Sequence, residues 1–116
     1  MSSNRNHLLV VLANAAPGTD EELSRWYEEV HIPDLLTVPG VVSAKRFRLT
    51  ENQMRGVKTR PYEYMVLYQL ESDDPKAVVD DIASRLRAGQ FAVSPTLDVA
   101  RTLNLLFKQT GETIGG

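Results

Sequence analysis

His31 stands three residues before Asp34, with Pro33 between them, inside the segment Trp26-Tyr-Glu-Glu-Val-His-Ile-Pro-Asp-Leu-Leu-Thr-Val-Pro-Gly40. An imidazole oriented by a carboxylate, which also raises its pKa, can work as a general base near neutral pH. Proline removes a backbone donor and disfavours helix in the residue before it, so the helix carrying Trp26 and Tyr27 is expected to end or kink there. His31 then lies near a helix C-terminus, where it either serves a cavity or ties off orphan carbonyls. Arg46 is the next candidate. A cation in mid-strand is costly unless paired or wet, and it could anchor a carboxylate or enolate oxygen of a substrate. A salt bridge to Glu63 or Asp34 is its structural alternative. Tyr64 and Tyr68 share a strand face, where their hydroxyls either polarise a carbonyl or pack. His7, ahead of an apolar run, could reach a cavity mouth.

Other chemistries are missing from the sequence. There is no cysteine, so disulfides, thiolate nucleophiles and thiolate metal sites are excluded. Two histidines with no His-x-x-x-His spacing, and a single Glu28-x-x-His31 pair, give no preassembled metal shell. Gly-rich phosphate loops and a Gly-x-Ser-x-Gly elbow are also absent. No cofactor and no metal are therefore expected. A net charge of −2 with mixed signs gives no electrostatic footprint for nucleic acid, and no membrane partner is expected. Leu8 to Leu12 with Ala13-Asn-Ala-Ala16 mimics a signal peptide, but the apolar run falls short of the roughly seven to fifteen residues of an h-region. The run reads as a strand, and the protein as cytoplasmic.

The elements that must position these residues follow from pattern. His7 to Ala13 is continuously apolar, as in a strand buried on both faces. Thr19-Asp-Glu-Glu22 reads as a capping box opening a helix with Leu23, Trp26, Tyr27 and Val30 inward. Asp34 to Val38 is long enough for one more turn, and Pro39-Gly40 ends the unit. Val41 to Leu49 is a second strand, Thr50 to Pro61 a long loop whose Met54, Arg55, Lys58 and Arg60 could form a basic lid, and Tyr62 to Glu71 a third strand. Asp74-Pro75 opens a second helix with Ala77, Val78, Ile82 and Leu86 inward, stopped by Gly89. Ala100 to Gln109 is the fourth strand, with Leu103, Leu105 and Phe107 on one face. The whole chain, 1–116, is one domain, with a core over about 7–109 and a loose tail at 110–116.

The order β-α-β-β-α-β is the split βαβ of the ferredoxin-like α+β fold, a four-stranded antiparallel sheet with two helices on one face. Its other face would stay apolar and aromatic, carrying Leu9, Val11, Tyr64, Val66 and Tyr68 in one choice of register. Patches of that kind mark interfaces or ligand grooves, and a second copy of the sheet is the simplest cover. A homodimer is expected.

Trp26, Tyr27, His31, Pro33, Asp34, Pro39, Gly40, Ala44 and Arg46 together resemble the dimeric α/β-barrel superfamily, and within it the EthD-like and related small proteins. The resemblance implies two sheets closing a barrel and a cleft in each subunit. It spans cofactor-free monooxygenases, cyclases, dehydratases, isomerases and haem-degrading enzymes, and fold does not choose among them. Haem degraders of this fold would carry Asn on strand one, Trp on a later strand and His on the second helix. Asn14 is placed for the first, but the only Trp is on helix one and the second helix has no His. Aromatic polyketide cyclases resemble the chain at His7, Tyr27 and Tyr64, yet have a His after the second helix that is missing here.

The expected function is a small cofactor-independent enzyme acting by general acid/base catalysis on an apolar, oxygenated small molecule, of lyase, isomerase, cyclase or dehydratase type. His31, oriented by Asp34, would move the proton; Tyr64 or Arg46 would hold the oxyanion; Tyr27, His7, Leu9, Val11 and Tyr68 would contact the ligand. The alternatives are a non-catalytic dimer that binds a hydrophobic ligand or assists a pathway, and a cofactor-free monooxygenase.

Overall fold

Alternation of apolar residues in the strands and 3.6-residue stripes in the helices produce the expected layers. The computed structural model describes residues 5–115. Four strands, β1 (Asn6–Ala13), β2 (Val41–Arg48), β3 (Tyr64–Glu71) and β4 (Leu103–Lys108), form one antiparallel sheet in the order β2-β3-β1-β4. The first helical segment is α1 (Asp20–Trp26), a π turn (Tyr27–His31) and α2 (Ile32–Leu35); the second is α3 (Pro75–Arg87). This is the ferredoxin-like α+β fold. Among the described residues no helix is long and apolar enough to cross a membrane.

The core lies between the sheet and the helices. Leu9 pairs with Tyr68 and Val11 with Val66, and all four side chains are buried beneath Leu23, Tyr27, Val78 and Ile82. This corrects the register choice above: Leu9, Val11, Tyr64, Val66 and Tyr68 face the helices. It also corrects β1, which alternates buried with half-buried residues instead of being buried on both faces. Both faces of β1 are apolar, so its pattern could not say which one the helices cover. The uncovered face carries Leu8, Val10, Leu12, Met65 and Leu67, with Leu103, Leu105 and Phe107 opposite Leu12, Val10 and Leu8 across the β1–β4 pair.

Local details depart from the sequence reading. Thr19 makes no capping box; its hydroxyl donates to the Ala16 carbonyl at 2.7 Å, and its side chain caps nothing. Asp74 does cap α3, accepting from the Ala77 amide at 3.1 Å. Ala77 itself is exposed, as is Val30. The fourth strand is shorter than expected, because Val99–Arg101 forms a 3-10 turn ahead of it. Gly40 has φ +98°, and its carbonyl accepts from the Glu71 amide at 2.8 Å, fastening the turn after α2 to the end of β3. Residues 110–115 carry no helix or strand, and Gly116, the last residue of the expected tail, lies outside the described residues.

Candidate functional site

The helix does not stop at Pro33. It loosens into one π turn over Tyr27–His31 and resumes as α2, with the Ile32 amide bonded five residues back to the Tyr27 carbonyl. A π turn is the response expected when a proline follows in a helix: the extra residue lets the chain absorb a missing donor and a ring that would strike the carbonyl four residues earlier. It also changes which side chains meet. Residues five apart in an α-helix point roughly 140° apart. Here Trp26 and His31, five apart, stack at 4.4 Å between ring centroids and 17° between planes. Tyr27 meets His31 edge-on at 5.7 Å.

These rings wall one side of a cavity of about 220 Å³ between the sheet and the helical layer. Leu9, Val11 and Tyr68 form its floor from the sheet, and Ile82 and Leu86 of α3 its far wall. The connector from Phe91 to Thr102 contributes Val93, Leu97 and Val99. It is pinned by the Trp26 indole donating to the Ala92 carbonyl at 3.2 Å, by the Ala15–Leu97 bridge and by the Ala16 amide bonded to the Thr96 carbonyl at 2.8 Å. Among the described residues no lysine, arginine, aspartate or glutamate lines the cavity.

Two polar atoms at this cavity are buried without a hydrogen-bond partner, Nδ1 of His31 and the hydroxyl of Tyr68. Burial pushes the His31 pKa down from 6.5 to about 4, against the pull of the Asp34 carboxylate. The expectation that Asp34 raises this pKa is therefore corrected: desolvation outweighs the charge, and the imidazole is neutral near pH 7. Asp34 and His31 share no hydrogen bond among the described residues, and the His31 side chain caps no helix-end carbonyl. Burial pushes Tyr27 up to about 12 and raises Tyr68 as well, so both phenols stay protonated near pH 7.

The other expected residues sit elsewhere. Arg46 points along the outer side of α1, where it donates to Ser24 at 2.8 Å and pairs with Glu28 at 3.0 Å, and its guanidinium lies 5.5 Å from the Tyr27 ring centroid. Glu28 thus takes the place expected of Glu63 or Asp34; Glu63 pairs with Arg60. Tyr64 donates to Asp20 in the same outer groove, and burial followed by that hydrogen bond raises its pKa. Arg46 and Tyr64 therefore line a groove separate from the His31 cavity. His7 is buried between Leu70 and Lys108 at the far end of β1 and does not line the cavity. The basic loop gives no lid over it either: Arg60 is spent on Glu63 and on the Leu49 and Thr50 carbonyls. Among the described residues no cluster of three metal-ligating side chains exists.

The sequence reading missed Trp26 as part of the site, along with Ile82, Leu86 and the whole connector. Only the Trp26–His31 spacing carried a signal, and it becomes one only once Pro33 is seen to demand a π turn.

Residues 7–89 match the family model of a domain of unknown function, DUF4286. No curated protein matches the sequence. Among solved structures, the chain is similar to the haem degrader MhuD of Mycobacterium tuberculosis, solved with two haems in its active site, at 18% identity and TM-score 0.61, over 92% of this chain and 98% of that one. It is similar to a dimeric ferredoxin-like protein of unknown function from Jannaschia, at 18% identity and TM-score 0.58, over 90% and 99%. An EthD-family protein from Bacillus halodurans follows, at 16% identity and TM-score 0.52, over 90% and 99%. At these identities the likeness establishes the fold.

Proposed function

The chain belongs to the DUF4286 family, and on that premise we propose that its cavity binds a small, apolar, oxygenated molecule and moves a proton on it without a cofactor. The observation that carries this is the imidazole of His31, held neutral and stacked on Trp26 at the wall of a mostly apolar cavity that Thr102 and Asn104 also line. Neutral His31 is the proton acceptor, and Tyr64 and Arg46 take no part in the transfer, since they line the outer groove. Chemistry of this kind covers enolisation, isomerisation, cyclisation and dehydration.

Haem does not fit. A porphyrin exceeds a drug-sized ligand, which itself occupies about 300–1,000 Å³, and the cavity here is about 220 Å³. Asn14 is also unavailable: its amide donates to the Pro61 carbonyl at 2.9 Å and its oxygen accepts from the Glu63 amide at 3.0 Å.

The test is loss of α-proton signals from a panel of single-ring enolisable ketones in D2O, followed by NMR. Wild type is expected to speed exchange for at least one member and His31→Ala to abolish it. The depressed His31 pKa favours a second reading, a binding protein without turnover, since a weak base transfers protons poorly. Saturable binding with no exchange across the panel decides for that reading.

The assembly proposed is a homodimer through the uncovered sheet face. Leu103, Leu105 and Phe107 are each more than a third exposed there beside half-buried Leu8, Val10 and Leu12. The dimeric Jannaschia protein of the same fold supports it.

A further inference from the structure

We propose that Arg46 is a positioning residue for the His31 cavity: from outside its wall it clamps the π turn in the register that stacks His31 on Trp26. This rests on the reading of the cavity as the site of function. Three observations carry it.

The first is where the cation stands. Arg46 pairs with Val66 on the face of the sheet that the helices cover, and Val66 is buried in the core. A charge on such a face is costly unless it is paired, so packing alone gives no reason for an arginine there. The second is what it holds. Its terminal nitrogen Nη1 donates to Ser24 in α1 at 2.8 Å and to Glu28 in the π turn at 3.0 Å. These contacts straddle the junction at which the backbone bonding lengthens from four residues to five. Pro33 calls for an extra residue in the helix, and the clamp fixes where that residue falls.

The third is the ring that joins Arg46 to the stacked pair. The guanidinium lies over the Tyr27 ring at 5.5 Å from its centroid, a favourable placement for a cation on an aromatic face. Tyr27 is buried, meets His31 edge-on at 5.7 Å and touches Trp26 at 4.8 Å between centroids. Arg46 therefore grips the turn twice, through the Glu28 carboxylate and through the Tyr27 ring. Both residues precede His31 within the same π turn. A turn that slipped back to plain α-helix would swing His31 away from Trp26, because residues five apart then point roughly 140° apart.

The experiment reads the stack directly. Protons of the His31 ring lying against Trp26 are shifted upfield in NMR, a signature that an ion pair serving stability alone would not set. Arg46→Met keeps the stem and removes the cation; it is expected to lose about half of that shift or more, and Arg46→Lys to keep most of it. Arg60→Met breaks the Arg60–Glu63 pair in the loop before β3 and is expected to change nothing at His31. A folded Arg46→Met with the wild-type His31 shift overturns the proposal, as does a wild type without the upfield shift. Should Arg46→Met fail to fold by circular dichroism, the double variant Ser24→Ala, Glu28→Ala removes both acceptors and leaves Arg46 in place. Loss of the shift there supports the clamp, and a full wild-type shift overturns it. None of these readouts uses a substrate, so a failed exchange test removes the proton transfer and leaves the role of Arg46 standing.

Discussion

His31 is where stability and the proposed function pull apart. The native state holds His31 neutral, with its pKa lowered to about 4 from the 6.5 of an unfolded chain. Between those values the unfolded state binds the extra proton, so this contribution is complete above pH 6.5 and is lost as pH falls toward 4. Denaturant unfolding should therefore show wild type losing stability over that window, and His31→Gln should flatten the loss, by an amount on the order of 2 kcal/mol. Tyr68 makes the complementary case. Its hydroxyl is buried and unpaired, so Tyr68→Phe should be neutral or stabilising by up to about 1 kcal/mol in thermal unfolding. A clear destabilisation would mean that the hydroxyl has a structural partner. The candidate residues were legible by type, but their grouping was not. His31, Tyr27, Tyr68, Leu9 and Val11 come together, while Arg46 and Tyr64 lie outside, because Arg46 is drawn to Glu28 and Ser24 on the solvent side of α1.

At the scale of the element, the stretch from Trp26 to Gly40 is one device with two ends. Pro33 at its middle imposes the π turn that stacks His31 on Trp26. Gly40 at its close turns the chain into β2 against α3. A Cβ on Gly40 would come within 2.7 Å of Val78 Cγ2, and the φ of +98° disfavours any L side chain. Gly40→Ala should therefore cost about 2–3 kcal/mol, combining backbone strain with overpacking. Chemical denaturation measures this, and Gly18→Ala is the control, since Gly18 shares a positive φ of +78° but has no neighbour within 4 Å. The existence of these elements was plain from period and punctuation. The π turn was not, because a proline in a helical pattern reads as a stop unless the register of the following turn is known.

For the whole molecule, the sheet has one face under helices and one face bare. Two helical segments on one side cannot reach around it, and the bare face is as apolar as the covered one along β1. A sedimentation or light-scattering measurement should give a dimer. Leu105→Asp, placed mid-strand on β4 opposite Val10, should give a folded monomer. A wild-type monomer at micromolar concentration would remove the barrel assembly while leaving the cavity, which lies on the helical side of the sheet, in place.

The sequence by itself determined the element order, the ferredoxin-like topology and the residue types able to move a proton. These depend on local periodicity, capping and turn chemistry, which neighbouring residues carry. Tertiary structure alone decided which face of β1 is covered, which tyrosine joins His31, and whether burial or Asp34 sets the charge of that imidazole. Each of those turns on distance and desolvation between segments far apart in the chain, and no local pattern encodes them. His31 lies within three residues of a carboxylate, yet it is neutral because burial outweighs that charge.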